Sequence, residues 1–343
     1  MIGQLFNLVR WEWFKLQRRW MPWILLAIML LFSQLFIWGT FFSYKSQVQS
    51  SGEVFIGGRD IEGSFRVSCN DVLAGNTSSL PSNISPDMLQ ELKRQCASMA
   101  QGRDSQLREM YSGFTIPGSI PNVLGVAQSM GMILIAILTA STLGTEFGWG
   151  TMRAVLVRGT GRWQYLTAKL VLLALLAGAA LLVVSVVTLA TSALAGALAP
   201  QPPPGEVDSL GWNDAAINFG KAWFAMLPFV ALAACVTMLT ASSAVGMAVA
   251  LAYYFAEQIV VGIFINLFDW FQNVADYLMV ENINTWMQGN QQGRVSFGGD
   301  GNLAEATTGE LHAFLVLSAY LLVLGVIAFR RFQKRDIAGA SGT

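Results

Sequence analysis

The chain of 343 residues is rich in hydrophobic side chains, at 54 %, and poor in charged ones, at 12 %. Soluble domains carry about 25 % charged residues, and several apolar runs in this chain reach the roughly 20 residues that cross a bilayer as a helix. The composition therefore predicts an all-α polytopic membrane protein. The formal net charge is zero, so the chain has no overall positive charge that would favour nucleic-acid binding. It has a single histidine, which excludes a metal site built from several histidines.

Hydropathy divides the chain into six predicted spans and the segments between them. Residues 1–20 mix aromatic and aliphatic side chains with cations, which predicts an amphipathic helix in the headgroup region. The spans are predicted at 21–42, 119–143, 165–199, 216–240, 242–268 and 311–329, with external segments at 43–118, 200–215 and 269–310, a cytoplasmic loop at 144–164 and a tail at 330–343. Basic segments fall on one side and acidic segments on the other, which predicts that both termini are cytoplasmic.

The two external insertions differ in what they predict. Cys69 and Cys96 lie in the polar segment 43–118 and form a candidate disulfide if that segment faces an oxidising compartment. Cys235 lies inside an apolar run and is expected to be a small buried hydrophobe. In the second insertion, residues 270–287 are aromatic and amphipathic, which predicts short helices at the outer leaflet rather than a span.

The loop at 144–164 is basic and punctuated by glycine. Thr151 is a suitable N-cap for a short helix over 152–158, and Gly159 can end that helix in the left-handed conformation. Arg153 and Arg158, together with the later cations Arg162 and Lys169, favour the cytoplasmic side of a membrane. Such a helix would lie across the membrane surface and present a face to a soluble partner. An ordinary connector with membrane-flanking charges is the alternative.

Three motifs together resemble a known class of membrane protein. They are Glu146-x-x-x-Gly150-Thr151 with Arg158, Gly159, Arg162, Tyr165 and Lys169 after it, Trp11-Glu12-Trp13-x-Lys15 before the first span, and Arg330-Arg331-x-x-Lys334-Arg335-Asp336 at the end. In these motifs and in its six spans the chain resembles the permease subunits of type-2 exporters in the ATP-binding-cassette (ABC) superfamily. The resemblance implies a soluble ABC ATPase as partner.

The resemblance also implies which residues carry the function. It assigns a coupling helix to 152–158 and ATPase coupling to Glu146, Gly150, Thr151, Met152, Arg153, Leu156, Arg158, Gly159 and Arg162. The chain contains no phosphate-binding loop of the Gly-x-x-x-x-Gly-Lys-Ser/Thr type. We therefore expect a transport subunit rather than an enzyme, without a bound cofactor, whose partner binds ATP and magnesium. A second permease, identical or different, would complete a dimer that moves an amphipathic or hydrophobic peptide, lipid or drug-like substrate outward across a cell membrane, specifically a bacterial inner membrane.

Polar residues inside the predicted spans suggest a place on the substrate path. Glu257 follows Tyr253 and precedes Gln258 in the fifth span, and an ionisable group there is costly unless it faces a cavity or a partner. Lys221, near the outer end of the fourth span, is placed to reach toward Glu257. A structural ion pair, or a lysine that extends to the interface, is the alternative.

Other classes of protein are less compatible with the sequence. An intramembrane enzyme lacks support because the chain has no Gly-x-Ser-x-Gly, His-Glu-x-x-His or paired intramembrane aspartate motif. A secondary transporter would be expected to show inverted repeats, and no convincing repeat relates the two halves. A membrane-anchored receptor or assembly protein that acts through its external subdomain remains open.

Overall fold

The computed structural model describes residues 2–49, 53–56, 65–74, 86–148, 161–200, 202, 212–265, 267–287 and 309–334. It confirms the all-α polytopic class, since six of its helices are long and apolar enough to cross a membrane. The described helices are α1 Ile2–Gln17, α2 Trp20–Gln49, α3 Cys69–Leu73, α4 Pro86–Phe114, α5 Ser119–Gly148, α6 Arg162–Leu198, α7 Trp212–Thr240, α8 Ser243–Phe264, α9 Asp269–Ala275, α10 Met279–Trp286 and α11 Glu310–Lys334. The six candidate spans are α2, α5, α6, α7, α8 and α11.

The chain divides into two compact units. The first unit comprises Met1–Gln34, Ile120–Thr188 and Gly211–Thr343, and the second comprises Leu35–Ser119 and Leu189–Leu210. In the second unit, β1 Glu53–Ile56 and β2 Phe65–Ser68 form an antiparallel pair in which Glu53 lies opposite Ser68. These are the only strands in the part of the chain that the structure describes.

The predicted disulfide is confirmed: Cys69, the first residue of α3, is bonded to Cys96 of α4. The prediction placed the end of the first span at residue 42, but α2 continues as a helix to Gln49. The extension has partners in α4, because the Tyr44 ring contacts those of Tyr111 and Phe114. Aromatic packing between helices thus prolongs α2 beyond its apolar run.

In the first unit, α5 and α7 are the most enclosed spans. In the most apolar 18-residue stretch of each, 67 % of the residues are buried, against 17 % in α8 and α11. Helices α7 and α8 are joined by the short turn predicted between them, in which Ala241 has a φ of 55°. A glycine in α5 lies at the point where α8 begins, because a Cβ atom on Gly144 would meet the backbone of Ser243. The face of α8 that carries Gly246 and Ala250 is buried.

Candidate functional site: a buried charge cluster beside the basic loop

Two of the sequence motifs meet in one cluster of charged side chains in the first unit. Lys169 of α6 places its Nζ 2.6 Å from Glu146 Oε1 at the end of α5 and 3.3 Å from Glu12 Oε2 of α1. Lys15 of α1 donates to Glu12 Oε1 at 2.6 Å and lies 3.9 Å from Glu146. Two cations thus balance two carboxylates, and three helices are joined. We call these four residues the charge quartet.

Three members of the charge quartet are removed from solvent. Glu12 and Lys169 are each 3 % exposed and Glu146 is 6 % exposed. Although burial opposes ionisation of Glu12, Lys169 and Lys15 hold the pKa of that carboxyl below its ordinary value of 4.5. A buried pair of opposite charges that loses one partner leaves the other uncompensated, which is strongly destabilising. The quartet is therefore a strict constraint on how α1, α5 and α6 are arranged.

An apolar core lies at the same end of the helices as the charge quartet. Its fully buried side chains include Leu143 of α5, Tyr165 of α6, Met238 of α7 and Phe332 of α11. The Lys169 ammonium lies 5.2 Å from the centre of the Tyr165 ring, so the quartet and this core are contiguous. Cys235 belongs to the same core as a free buried thiol, as predicted.

The helices α5 and α6 both extend into the segment predicted as the cytoplasmic loop. The sequence analysis assigned residues 144–164 to it, but α5 remains helical through Gly148 and α6 begins at Arg162. Glu146 therefore lies inside α5 with its carboxylate buried. The helix can continue past this charged residue because Lys169 and Lys15, rather than water, compensate the carboxylate.

The remaining predicted coupling residues fall into two groups. Gly150, Thr151, Met152, Arg153, Leu156, Arg158 and Gly159 lie outside the described residues. Arg162 is described, and its Nη1 donates to the backbone oxygen of Gln333 in α11 at 2.7 Å. Nearby, Arg19 after α1 donates to the Thr145 hydroxyl at 3.2 Å. The end of α5 is thus bonded to Arg19, and the start of α6 is bonded to α11.

Glu257 proves to be a helix cap supplied by a different helix. Its Oε1 accepts from the backbone amides of Val280, at 2.5 Å, and Glu281, at 2.9 Å. These amides lie in the first turn of α10, where Leu278 at the N-cap position forms no side-chain capping bond. The amides at a helix start lack intrahelical acceptors, so Glu257 of α8 supplies the acceptor. The Tyr253 side chain is hydrogen-bonded to the same carboxylate. Gln258, the next residue in the chain, is half-buried.

Lys221 does not pair with Glu257, contrary to the sequence prediction. Its Nζ lies 2.8 Å from Glu310 Oε1 at the start of α11 and 5.4 Å from the centre of the Trp286 ring. The Trp286 indole in turn donates to the Lys221 backbone oxygen at 3.2 Å. Glu257 is instead bonded through Oε1 to the backbone amides of Val280 and Glu281.

The predicted short helices of the second external insertion are present as α9 and α10, and they are fastened to α11. His312 Nε2 lies 2.9 Å from the Asp276 backbone oxygen, and the Tyr320 hydroxyl donates to the Tyr277 oxygen at 3.0 Å. Asn282 donates to the backbone oxygens of Asp276 and Leu278 within the connection itself. These contacts make the α9–α10 pair a fixed part of the first unit.

Among the candidate substrate-path residues, Glu257 caps α10 and Lys221 pairs with Glu310 in this conformation. Sequence reasoning missed the cap because its acceptor and donors are 23 and 24 residues apart in different helices. It also omitted Glu12, Lys15 and Lys169 from the predicted site, although all three stand in the quoted motifs. Among the residues whose positions are described, no group of three or more His, Cys, Asp or Glu side chains is placed to hold a metal ion.

Comparison with known proteins assigns a family to the chain. The family described as a protein of unknown function (DUF2705) matches residues 104–338, which covers the last five spans and more than half of the sequence. No curated protein matches the chain. The extent of the family match shows that the chain belongs to the DUF2705 family.

Proposed function

We propose that the chain is the membrane-spanning permease subunit of an ATP-driven exporter of the ABC type. The observation that carries the proposal is the charge quartet, because it joins the interfacial helix α1 to the two helices that flank the basic loop. A force applied to that loop would be transmitted to α1, α5 and α6 together, since separating them would leave buried charges unpaired. In this proposal Glu146 positions the loop and does not itself contact the partner.

The disulfide supports the orientation that this function requires. Disulfides persist in oxidising compartments outside the cytosol, so the segment that carries Cys69 and Cys96 would face outward. One span, α5, separates that segment from the α5–α6 loop, which would then face the cytosol with both termini. The membrane would be a cell membrane, specifically a bacterial inner membrane.

Two features suggest the partners in this proposal: the sequence has no phosphate-binding loop, and two of the spans have exposed faces. The sequence has no phosphate-binding loop, so a soluble ATPase would bind ATP and magnesium and dock on residues 150–159. The spans α8 and α11 bury little surface within the chain, which leaves faces for lipid and for a second permease. Apolar spans of this kind favour an amphipathic or hydrophobic substrate, which alternating access would move outward.

The direct test is purification of the chain from its own host in mild detergent, followed by mass spectrometry of the proteins that remain bound. We expect an ATPase with a phosphate-binding loop, and we expect Arg153→Glu or Arg158→Glu to remove it. The matched control is Arg94→Glu on the exposed surface of α4, which should retain the ATPase.

Failure to recover an ATPase with the unaltered chain would overturn the exporter proposal. The disulfide-bonded second unit favours the alternative of a receptor or assembly protein. In that case Arg94→Glu and other changes on α4, rather than changes in the loop, would alter the set of bound proteins. A secondary transporter would instead move substrate in purified vesicles that contain no ATPase.

A further inference from the structure

A cavity of about 200 Å³ lies in the first unit between α1, α2, α5, α6 and α7. Aliphatic, aromatic and glycine residues form nearly all of its wall, for example Leu26, Leu134 and Val183. Gln17 is the polar member, and its backbone oxygen already accepts from the Trp23 indole at 3.0 Å. A site with so few polar groups can take hydrocarbon and offers little to a sugar, peptide backbone or ion.

The cavity begins where α1 meets α2 and extends toward the middle of the spans. Trp13 and Trp23 stand at the α1 end, and tryptophan is typical of the membrane–water interface. From Pro22 to Met29 the lining follows α2 for about 10 Å, taking 1.5 Å per residue. Ala179 and Ala180 of α6 leave space on the facing side. An elongated hydrocarbon chain that enters from the interface would follow this course.

The charges at the interfacial end favour an anionic headgroup. Within α1, Lys15 pairs with Glu12 in the charge quartet, so the acidic residue of this helix is already compensated. Arg10 and Arg18 are exposed. Arg18 does not line the cavity itself, but it is the next residue after Gln17, which does. Its guanidinium lies 4.4 Å from the centre of the Phe14 ring. An exposed guanidinium one residue from the cavity wall can bind a phosphate group.

We propose that this cavity is a binding site for an anionic phospholipid of the leaflet that borders α1, with one acyl chain between α2 and α6 and the phosphate at Arg18. The site requires only that the chain lies in a bilayer. Its test is therefore independent of any ATPase, and either proposal can fail without the other.

The first experiment uses the whole chain in nanodiscs that contain equal amounts of phosphatidylglycerol and phosphatidylcholine, followed by native mass spectrometry of the lipids that remain bound after mild detergent extraction. We expect about fivefold enrichment of phosphatidylglycerol, the size of one arginine's interaction with an anionic membrane surface. Arg18→Gln should abolish this preference while total lipid retention persists. Arg330→Gln, an exposed arginine in α11, should leave the preference unchanged.

A second variant tests the cavity itself. Ala180→Phe should fill it and lower retained lipid roughly fivefold or more, since each excluded methylene forfeits its burial. The matched control is Ala190→Phe, which adds the same ring to an exposed position on α6 outside the cavity. Equal retention in the two variants would overturn the proposal, as would equal binding of both lipids by the unaltered chain.

A third measurement needs no variant and therefore does not depend on the variants folding. Phosphatidylglycerol with a photoactivatable diazirine on one acyl chain should cross-link to peptides that contain Pro22–Met29 and Leu176–Val183. Cross-links confined to outward-facing residues of α11, such as Leu322 and Val323, would show annular lipid alone and overturn the site. Cavity occupancy by detergent that phospholipid does not displace would also overturn it.

Discussion

Two buried carboxylates in this protein are compensated in different ways. Glu146 is met by lysines from two other helices, whereas Glu257 is met by the amides at the start of α10. Coulombic pairing between side chains depends on how separate helices are placed relative to one another. A carboxylate that caps a helix holds that helix against the helix that carries the carboxylate.

The difference indicates which end of the first unit is suited to transmit movement. The charge quartet joins α1, α5 and α6 through buried ion pairs. Separating these helices would leave buried charges unpaired, so a displacement of one would carry the other two with it. The bonds of Glu257 to Val280 and Glu281 are directed at fixed backbone groups and would oppose any displacement of α10. If the chain is an exporter permease as proposed, coupling would act at the quartet, and α9–α10 would keep its position.

The largest expected effect is that of Lys169→Met. The substitution leaves Glu12 and Glu146 buried with only the more exposed Lys15 nearby, and we expect a loss of about 3–5 kcal/mol in the free energy of unfolding. Thermal unfolding in detergent would measure it, with Lys334→Met at the exposed end of α11 as control. The triple variant Glu12→Gln, Glu146→Gln, Lys169→Met should recover most of the loss, and failure to recover would contradict a charge-based explanation.

Glu257 provides the next test. Glu257→Leu leaves the amides of Val280 and Glu281 without an acceptor, which we expect to cost about 1–3 kcal/mol and to increase amide hydrogen exchange in 279–286. Glu257→Gln keeps an oxygen that can accept and should cost less. If Glu257→Leu left stability and hydrogen exchange unchanged but abolished transport, the result would contradict the capping role and favour a place for Glu257 on the substrate path.

The charge quartet also predicts a dependence on pH. Because the folded protein lowers the pKa of Glu12 below 4.5, the unfolded chain binds more protons near that pH, and stability rises with pH there. The contribution of Glu12 is complete above pH 4.5 and is lost as the pH falls through the lower folded value. Thermal unfolding between pH 7 and 3.5 should show a smaller acid-induced decline in Glu12→Gln than in the unaltered chain, and identical declines would exclude Glu12 as a source.

The smallest effect is expected at the Lys221–Glu310 pair. Glu310 is 53 % exposed, and ion pairs of this kind contribute about 1 kcal/mol or less. A double-mutant cycle with Lys221→Met and Glu310→Gln would measure the coupling energy. A value well above that limit would mean that this pair stabilises the fold as strongly as the charge quartet does. The contrast between the quartet and the α9–α10 end of the unit would then be weaker.

Predictions that depend on local composition agree with the structure. The six spans, the short helices near 270–287 and the buried environment of Cys235 each follow from hydropathy, although α2 continues beyond the predicted end of the first span. The assignment of Lys221 to Glu257 was wrong because it considered depth in the membrane alone. Depth could not indicate that Glu310 would lie at the same level or that α10 would present its amides to Glu257.

By itself the sequence determined that this is a helical membrane protein, where its spans lie and that Cys69 and Cys96 could be joined, because apolar length and cysteine context are local properties. Only the tertiary structure decided that Glu12 and Lys169 meet across 157 positions, that Glu146 belongs to a buried cluster and that Glu257 caps a helix. The physical reason is that a buried charge is satisfied by whichever groups packing brings within a few ångströms. That proximity is a property of the assembled helices and has no pattern in the chain.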